Sequence, residues 1–251
     1  MTTHHSHNQL PAYEQPCATL LKVSPRYLAG PRSGDASEVL APLDVAGWPR
    51  YCDERFTIHR FAPDGRRCVI YHPEERPCIS PRQRTMWRAW ARPANGSPMT
   101  WMAHWTTSTP PEIIAAFTTA LAHEPTHHRT PLYLAGPGDR EQALRPLADT
   151  GWQGEHCGER LGYHAPDGQA WAHYYPSPEG RNARTELHTE PTWIIGAQAK
   201  AYPQRTWHAA FTTATPAYLI AAFLTAMTDP TGLPRNPQSI PTALRDSLTL
   251  T

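Results

Sequence analysis

"SPRYLAG", Ser24 to Gly30, returns as "TPLYLAG", Thr130 to Gly136, and this recurrence decides the fold. A segment that comes back in register belongs to a duplicated structural unit, whereas a catalytic motif ordinarily occurs once in a chain. The register holds for about 100 residues beyond the two strings. "GW" at Gly47-Trp48 recurs at Gly151-Trp152, and "APDG" at Ala62 to Gly65 recurs at Ala165 to Gly168. Trp101 matches Trp207, and Ile114, Ala115, Ala116 and Phe117 match Ile220, Ala221, Ala222 and Phe223. Small loop insertions and deletions account for the drift in offset. The boundaries read as an N-terminal arm 1–23, a first repeat 24–123, a linker 124–129, a second repeat 130–229 and a C-terminal arm 230–251.

Each copy has the same predicted elements. "RYLAG" and "LYLAG" read as short strands ending at glycine, with Tyr27 and Tyr133 packed at equivalent places in their lobes and no ligand pocket centred on them. "DASEVLAPLDVAGW" and "DREQALRPLADTGW" read as helices with an Asp near the start and a Gly stop, kinked or shortened by Pro42 and Pro146. "FTIHRFAPDGRRCVIYH" and "ERLGYHAPDGQAWAHYY" alternate around a Pro-Asp-Gly turn and predict hairpins. "TMWRAWAR" and "TWMAHWTT", matched by "TWIIGAQA" and "TWHAAFTT", predict two further strands. A last amphipathic helix opens after the threonine of "TPPE" or "TPAY", read as an N-cap. The unit is therefore β-α-β-β-β-β-α, an antiparallel sheet covered by helices on one face. The whole chain is predicted to be an α+β protein of two tandem homologous lobes, a compact bilobed monomer with internal pseudo-two-fold symmetry.

These strings resemble the SPDY domain, a family catalogued as domain of unknown function 317 and abundant in actinobacteria. The resemblance is carried by Ser24, Pro25 and Tyr27, by Thr130, Pro131 and Tyr133, by the Ala-Gly after each, by the Gly-Trp pairs and by the "TPPEIIAAFTTAL" helix. Tandem copies are common in the family, and the resemblance implies no activity. The third signature position, typically Asp, is Arg26 in one copy and Leu132 in the other, so a catalytic Asp there would be missing from both.

Composition narrows the function. The 251 residues are 39% hydrophobic and 18% charged, with a formal charge of +1, which fits a soluble globular chain without a strong polyanion preference. No run of about 18 apolar residues could cross a bilayer, and the N-terminal residues lack the pattern of a signal peptide, so a cytoplasmic location without membrane contact is expected. Cys17, Cys52, Cys68, Cys78 and Cys157 have no C-x-x-C spacing and read as reduced thiols. Walker A, G-x-G-x-x-G, G-x-S-x-G and H-E-x-x-H motifs are absent from the sequence. The groups His4, His5, His7 and His123, His127, His128 fall in a tail and a linker, which do not fix ligand geometry. A Cys157–His156 nucleophile pair is disfavoured because neighbours on a strand point to opposite faces. No enzyme activity, cofactor or metal site is expected.

The two copies also separate packing from function. Trp87, Ala89 and Ala91 match Trp193, Ile195 and Ala197, which marks the face packed on helices. The alternate positions diverge: Arg88, Trp90 and Arg92 become Ile194, Gly196 and Gln198, and Met102 and His104 become His208 and Ala210. The ligand-binding candidates are thus Arg88, Trp90, Arg92, Met102 and His104, an arginine and aromatic face on the first repeat. Its residues 24–123 carry twelve arginines against nine acids, a balance of +3, while residues 130–229 balance at −3. The sequence predicts a non-catalytic binding or adaptor protein acting on another protein. Binding of single-stranded DNA or RNA through the same face is the alternative, and an enzyme of unknown class ranks last.

Overall fold

The computed structural model describes residues 19–31, 36–77, 84–123, 131–158, 160–176 and 191–251. In chain order the elements are β1 (Leu21–Ser24), α1 (Ser37–Val45), β2 (Arg50–Cys52), β3 (Ile58–Phe61), β4 (Arg67–Pro77), β5 (Arg84–Ala91), β6 (Trp101–Thr106) and α2 (Pro111–Ala122). The second repeat follows with α3 (Arg140–Asp149), β7 (Gln153–Cys157), β8 (Arg160–His164), β9 (Ala170–Tyr174), β10 (Pro191–Gln198), β11 (Thr206–Thr212) and α4 (Ala217–Thr228). Two short strands close the chain, β12 (Leu233–Arg235) and β13 (Thr249–Leu250). The architecture is α+β, as predicted.

The two repeats do not keep separate sheets. Their strands form one ten-stranded sheet in the order β2-β3-β4-β5-β6-β11-β10-β9-β8-β7, which reads the same from either end and so places a pseudo-two-fold at the β6–β11 seam. Three residue pairs make this seam: Ala209 with Trp105, Ala210 with His104 and Phe211 with Ala103. Beyond each end of that short ladder a threonine hydroxyl takes over. The amide of Met102 donates to Thr212 Oγ1 and the amide of His208 donates to Thr106 Oγ1, both at 2.9 Å. The reciprocal bonds satisfy backbone donors that an abrupt strand end would leave unpaired.

The core lies on one face of this sheet. Trp101, Trp105, Trp193 and Trp207 are fully buried, and Phe117 of α2 and Phe223 of α4 meet the indoles edge-on or tilted at 4.9 to 6.4 Å. Each such indole removes about 200 Å² from water, worth roughly 5 kcal/mol at about 25 cal/mol/Å². The helices α1 and α3 form despite Pro42 and Pro146 because they bury Val39, Leu40 and Leu43, and Ala143, Leu144 and Leu147; at about 1.5–3 kcal/mol for each Val or Leu this offsets the penalty of about 3 kcal/mol for an interior proline. Asp139 caps α3 by accepting from the Glu141 amide at 2.9 Å. Gly47 and Gly151 then end α1 and α3 at φ +73 and +78, a region that only glycine enters without strain. The other two helices start differently from expectation. Their N-caps are Pro110 and Pro216 without a side-chain cap bond, while Thr109 and Thr215 are buried just upstream.

The signature strings are not strands. Arg26–Leu28 and Leu132–Leu134 are single 3-10 turns, closed in the first copy by Leu28 N donating to Pro25 O at 3.1 Å and in the second by Leu134 N donating to Pro131 O at 2.9 Å. Tyr27, Leu28 and Ala29 are all buried in succession, as residues of a turn sunk into a core are. Each signature also packs on the opposite repeat. The Trp207 indole donates to Tyr27 O at 2.8 Å, and the Trp101 indole donates to Tyr133 O at 2.7 Å. The Tyr27 hydroxyl donates to Asp167 Oδ2 and the Tyr133 hydroxyl to Asp64 Oδ2, at 2.9 and 3.2 Å. The two tyrosines thus occupy equivalent places, but in each other's half. The repeats interlock as well as sharing a sheet.

The C-terminal arm completes a second small sheet. β1 lies between β12 and β13, antiparallel to both, over a core of Val23, Ala29, Leu233 and Ile240. Thr242–Ser247 forms a short 3-10 helix. Arg235 of β12 is 1% exposed and donates to Ala29 O and Gly30 O while pairing with both carboxylate oxygens of Glu112. Each repeat has one strand that was not predicted, β2 and β7, in place of the signature strand that is a turn. All their residues are exposed, so no hydrophobic alternation marked them.

The candidate binding face

All four α-helices pack on the tryptophan face, and among the described residues no α-helix covers the other face of the ten-stranded sheet. Strand register places on it a continuous row running Tyr51, His59, Ile70, Arg88, His104, Ala210, Ile194, His173, Gly162 and Glu155. Beside it stand Phe61, Cys68, Trp90 and Met102 in the first repeat. His208, Gly196, Trp171 and His164 hold the equivalent places in the second.

Four of the five candidates from sequence, Arg88, Trp90, Met102 and His104, share this face. Arg88 lies directly opposite His104, and Trp90 opposite Met102. Arg88, Trp90 and Met102 are half-buried. Arg92 lies just beyond the end of β5 and is already engaged: its guanidinium donates to Gly65 O and Asn95 Oδ1 and sits 5.0 Å from the Trp90 ring centroid. His104 is 7% exposed, so it supports the face and is not presented by it. Burial, then the positive charge of Arg88, lowers its imidazole to about 4, and both ring nitrogens lack hydrogen-bond partners among the described residues. A neutral ring between strands is the form this environment tolerates. Cys68 is fully buried and burial pushes its thiol up to about 12, which removes it from nucleophilic chemistry.

Superposing the register of one repeat on the other extends the divergence seen in sequence. On the helix-free face Tyr51, His59, Phe61, Cys68 and Ile70 correspond to Glu155, Gly162, His164, Trp171 and His173. Arg88, Trp90, Met102 and His104 correspond to Ile194, Gly196, His208 and Ala210. Every one of these positions differs, while the packed face keeps Trp87 as Trp193, Ala91 as Ala197, Trp101 as Trp207 and Ala103 as Ala209. One exchange is compensated. The indole that β5 supplies as Trp90 comes in the second repeat from β9 as Trp171, over Gly196, where a Cβ would stand 2.8 Å from its ring.

The second repeat's half holds a cluster that no local spacing announced. Glu155, His164 and His173 come from three adjacent strands and bring one oxygen and two nitrogens within 4.8 Å of one another. Of the histidine groups expected to be free of structure, only His123 is among the described residues, with Nδ1 3.0 Å from Thr119 O. Cys17, Cys78, His4, His5, His7, His127 and His128 lie outside them.

A family model described as SPDY, a domain of unknown function (DUF317), matches residues 61–126 and again residues 164–233. The chain belongs to the SPDY family. Each match begins on the first strand of the Pro-Asp-Gly hairpin and runs just past the repeat's last helix, so the two SPDY matches are the halves related by the seam. Ser24–Gly30 and Thr130–Gly136 lie outside both spans. Neither a curated protein nor a solved structure matches the sequence. No described helix is long and apolar enough to cross a membrane.

Proposed function

We propose that the protein is a non-catalytic binding protein that recognises another protein through the helix-free face of its sheet, with the Arg88, Trp90 and Met102 half making the main contact. The observation that carries this reading is the contrast between the two faces. On the packed face Tyr71, Trp87, Ala91, Trp101 and Ala103 return as Tyr174, Trp193, Ala197, Trp207 and Ala209, whereas the helix-free face differs at every compared position from β2 to β6, as a surface does when each half has acquired its own complement. Arginine, tryptophan and methionine are also the side chains enriched where protein partners bury surface. Free Cys52, Cys68 and Cys157 support a reducing, cytoplasmic setting.

The test compares binding to native lysate by the wild type, an Arg88→Ala/Trp90→Ala variant and a control changed at exposed Val45 on the helix side. Loss of the same specific partners from the face variant alone supports the reading. Retention of every partner overturns it. Arg88 beside Trp90 also favours a second reading, single-stranded nucleic acid, since arginine with a stacking ring is how such strands are held. Gel shifts at low salt separate the two: retardation that falls steeply as salt rises would replace the protein partner with DNA or RNA.

A further inference from the structure

We propose that Glu155, His164 and His173 form a metal site that takes a divalent transition-metal ion of the zinc class, on the helix-free face of the second repeat only. Two of the three donor pairs already stand at a ligand spacing: His164 Nε2 lies 3.4 Å from His173 Nε2 and 3.5 Å from Glu155 Oε1, and all three donor atoms lie within 4.8 Å of one another. Four ligands at tetrahedral angles, with Zn–N and Zn–O bonds of about 2.0–2.1 Å, stand roughly 3.3–3.4 Å apart. Two imidazoles and one carboxylate are a donor set suited to zinc and its neighbours. Three protein ligands leave a coordination position for water or a ligand from outside.

Neighbouring residues hold the group in a ligating form. The Tyr175 hydroxyl lies 3.3 Å from His173 Nδ1, so Nδ1 can carry the proton and leave the Nε2 lone pair toward the ion, the usual outer-shell arrangement for a metal-bound histidine. Gly162 stands between the ligands. A Cβ there would come within 2.9 Å of the Glu155 side chain and 3.2 Å of His173, so glycine keeps open the space in which the carboxylate leans across the strand.

The first repeat supplies an internal control. Its equivalents of Glu155, His164 and His173 are Tyr51, Phe61 and Ile70, and its equivalent of Gly162 is His59. All three donors are exchanged together for residues with no strong metal ligand among them, and the clearing is filled.

The test uses the full chain stripped with a chelator, titrated with zinc chloride at pH 7 in competition with a chromophoric chelator. Because the terminal and linker histidines could take up zinc, the comparison is with Glu155→Tyr/His164→Phe/His173→Ile, which installs the first repeat's residues. The wild type is expected to hold one more equivalent of zinc than this variant, with micromolar or tighter affinity weakening at least 10-fold when His173→Ile alone is made. Equal stoichiometry and affinity in wild type and triple variant overturn the site. Should the variant fail to fold, diethyl pyrocarbonate labelling of the wild type decides: zinc protecting both His164 and His173 supports the site, and unprotected labelling of either refutes it.

Discussion

Replacing Glu112 with alanine is the sharpest test of how the C-terminal strand is attached. Arg235 is 1% exposed and its guanidinium donates to the carbonyls of Ala29, Gly30 and Pro234. Its charge is met only by Glu112 among the described carboxylates, in a two-pronged pair with one bond of 2.8 Å. Glu112→Ala keeps the neutral acceptors but leaves a buried cation without its counter-charge, a loss of about 3–5 kcal/mol. Glu112 also sits in the first turn of α2, where a carboxylate adds about 0.3–1 kcal/mol against the helix dipole. For a chain of this size each kcal/mol moves Tm by about 2–4 °C, so a fall of roughly 10 °C is expected. Removing both charges by Glu112→Leu/Arg235→Met is expected to cost far less, because no buried charge is then left alone. Circular dichroism melts at pH 7 measure both. A fall of less than about 2 °C for Glu112→Ala, or a double variant as unstable as the single, refutes the reasoning.

The wild type should lose stability as pH falls from about 6.5 toward 4, because the unfolded chain protonates its histidine at the ordinary value while folded His104 stays neutral down to about 4; above pH 6.5 this contribution is fully present. His104→Ala, the residue found at the equivalent Ala210, should shrink the difference between urea midpoints at pH 7 and pH 5, and an unchanged difference would exclude His104 as a source. Tyr27→Phe removes a bond that ties the first signature to Asp167 of the other repeat; since Asp167 keeps Gln169 as partner, a loss of about 1 kcal/mol is expected by denaturant titration. Tyr133→Phe should cost less, because its bond is longer and the Arg67 guanidinium still covers the ring at 4.5 Å; the reverse order would count against these cross-repeat bonds.

The duplication, the α+β class and the division of β5, β6, β10 and β11 into a packed and a diverged face were all legible in the sequence. They depend on periodicity and on comparing one copy with the other, both of which are local properties of the string. Arg88, Trp90 and Met102 were placed on one face by that alternation alone. Alternation could not say that Arg92 was already bound to Gly65 and Asn95, or that His104 sat in a seam, because both facts depend on neighbours from other segments. The fifth strand of each repeat gave no signal, since Arg50–Cys52 and Gln153–Cys157 are exposed at the sheet's two edges and bury nothing. The crossing of Tyr27 to Asp167 and of Tyr133 to Asp64 was decided only by the tertiary structure. So was the meeting of Glu155, His164 and His173, which are up to eighteen positions apart and come together because antiparallel register stacks three strands side by side. Sequence fixes which way each side chain points along its own strand, and only the pairing of strands decides whose side chain stands next to it.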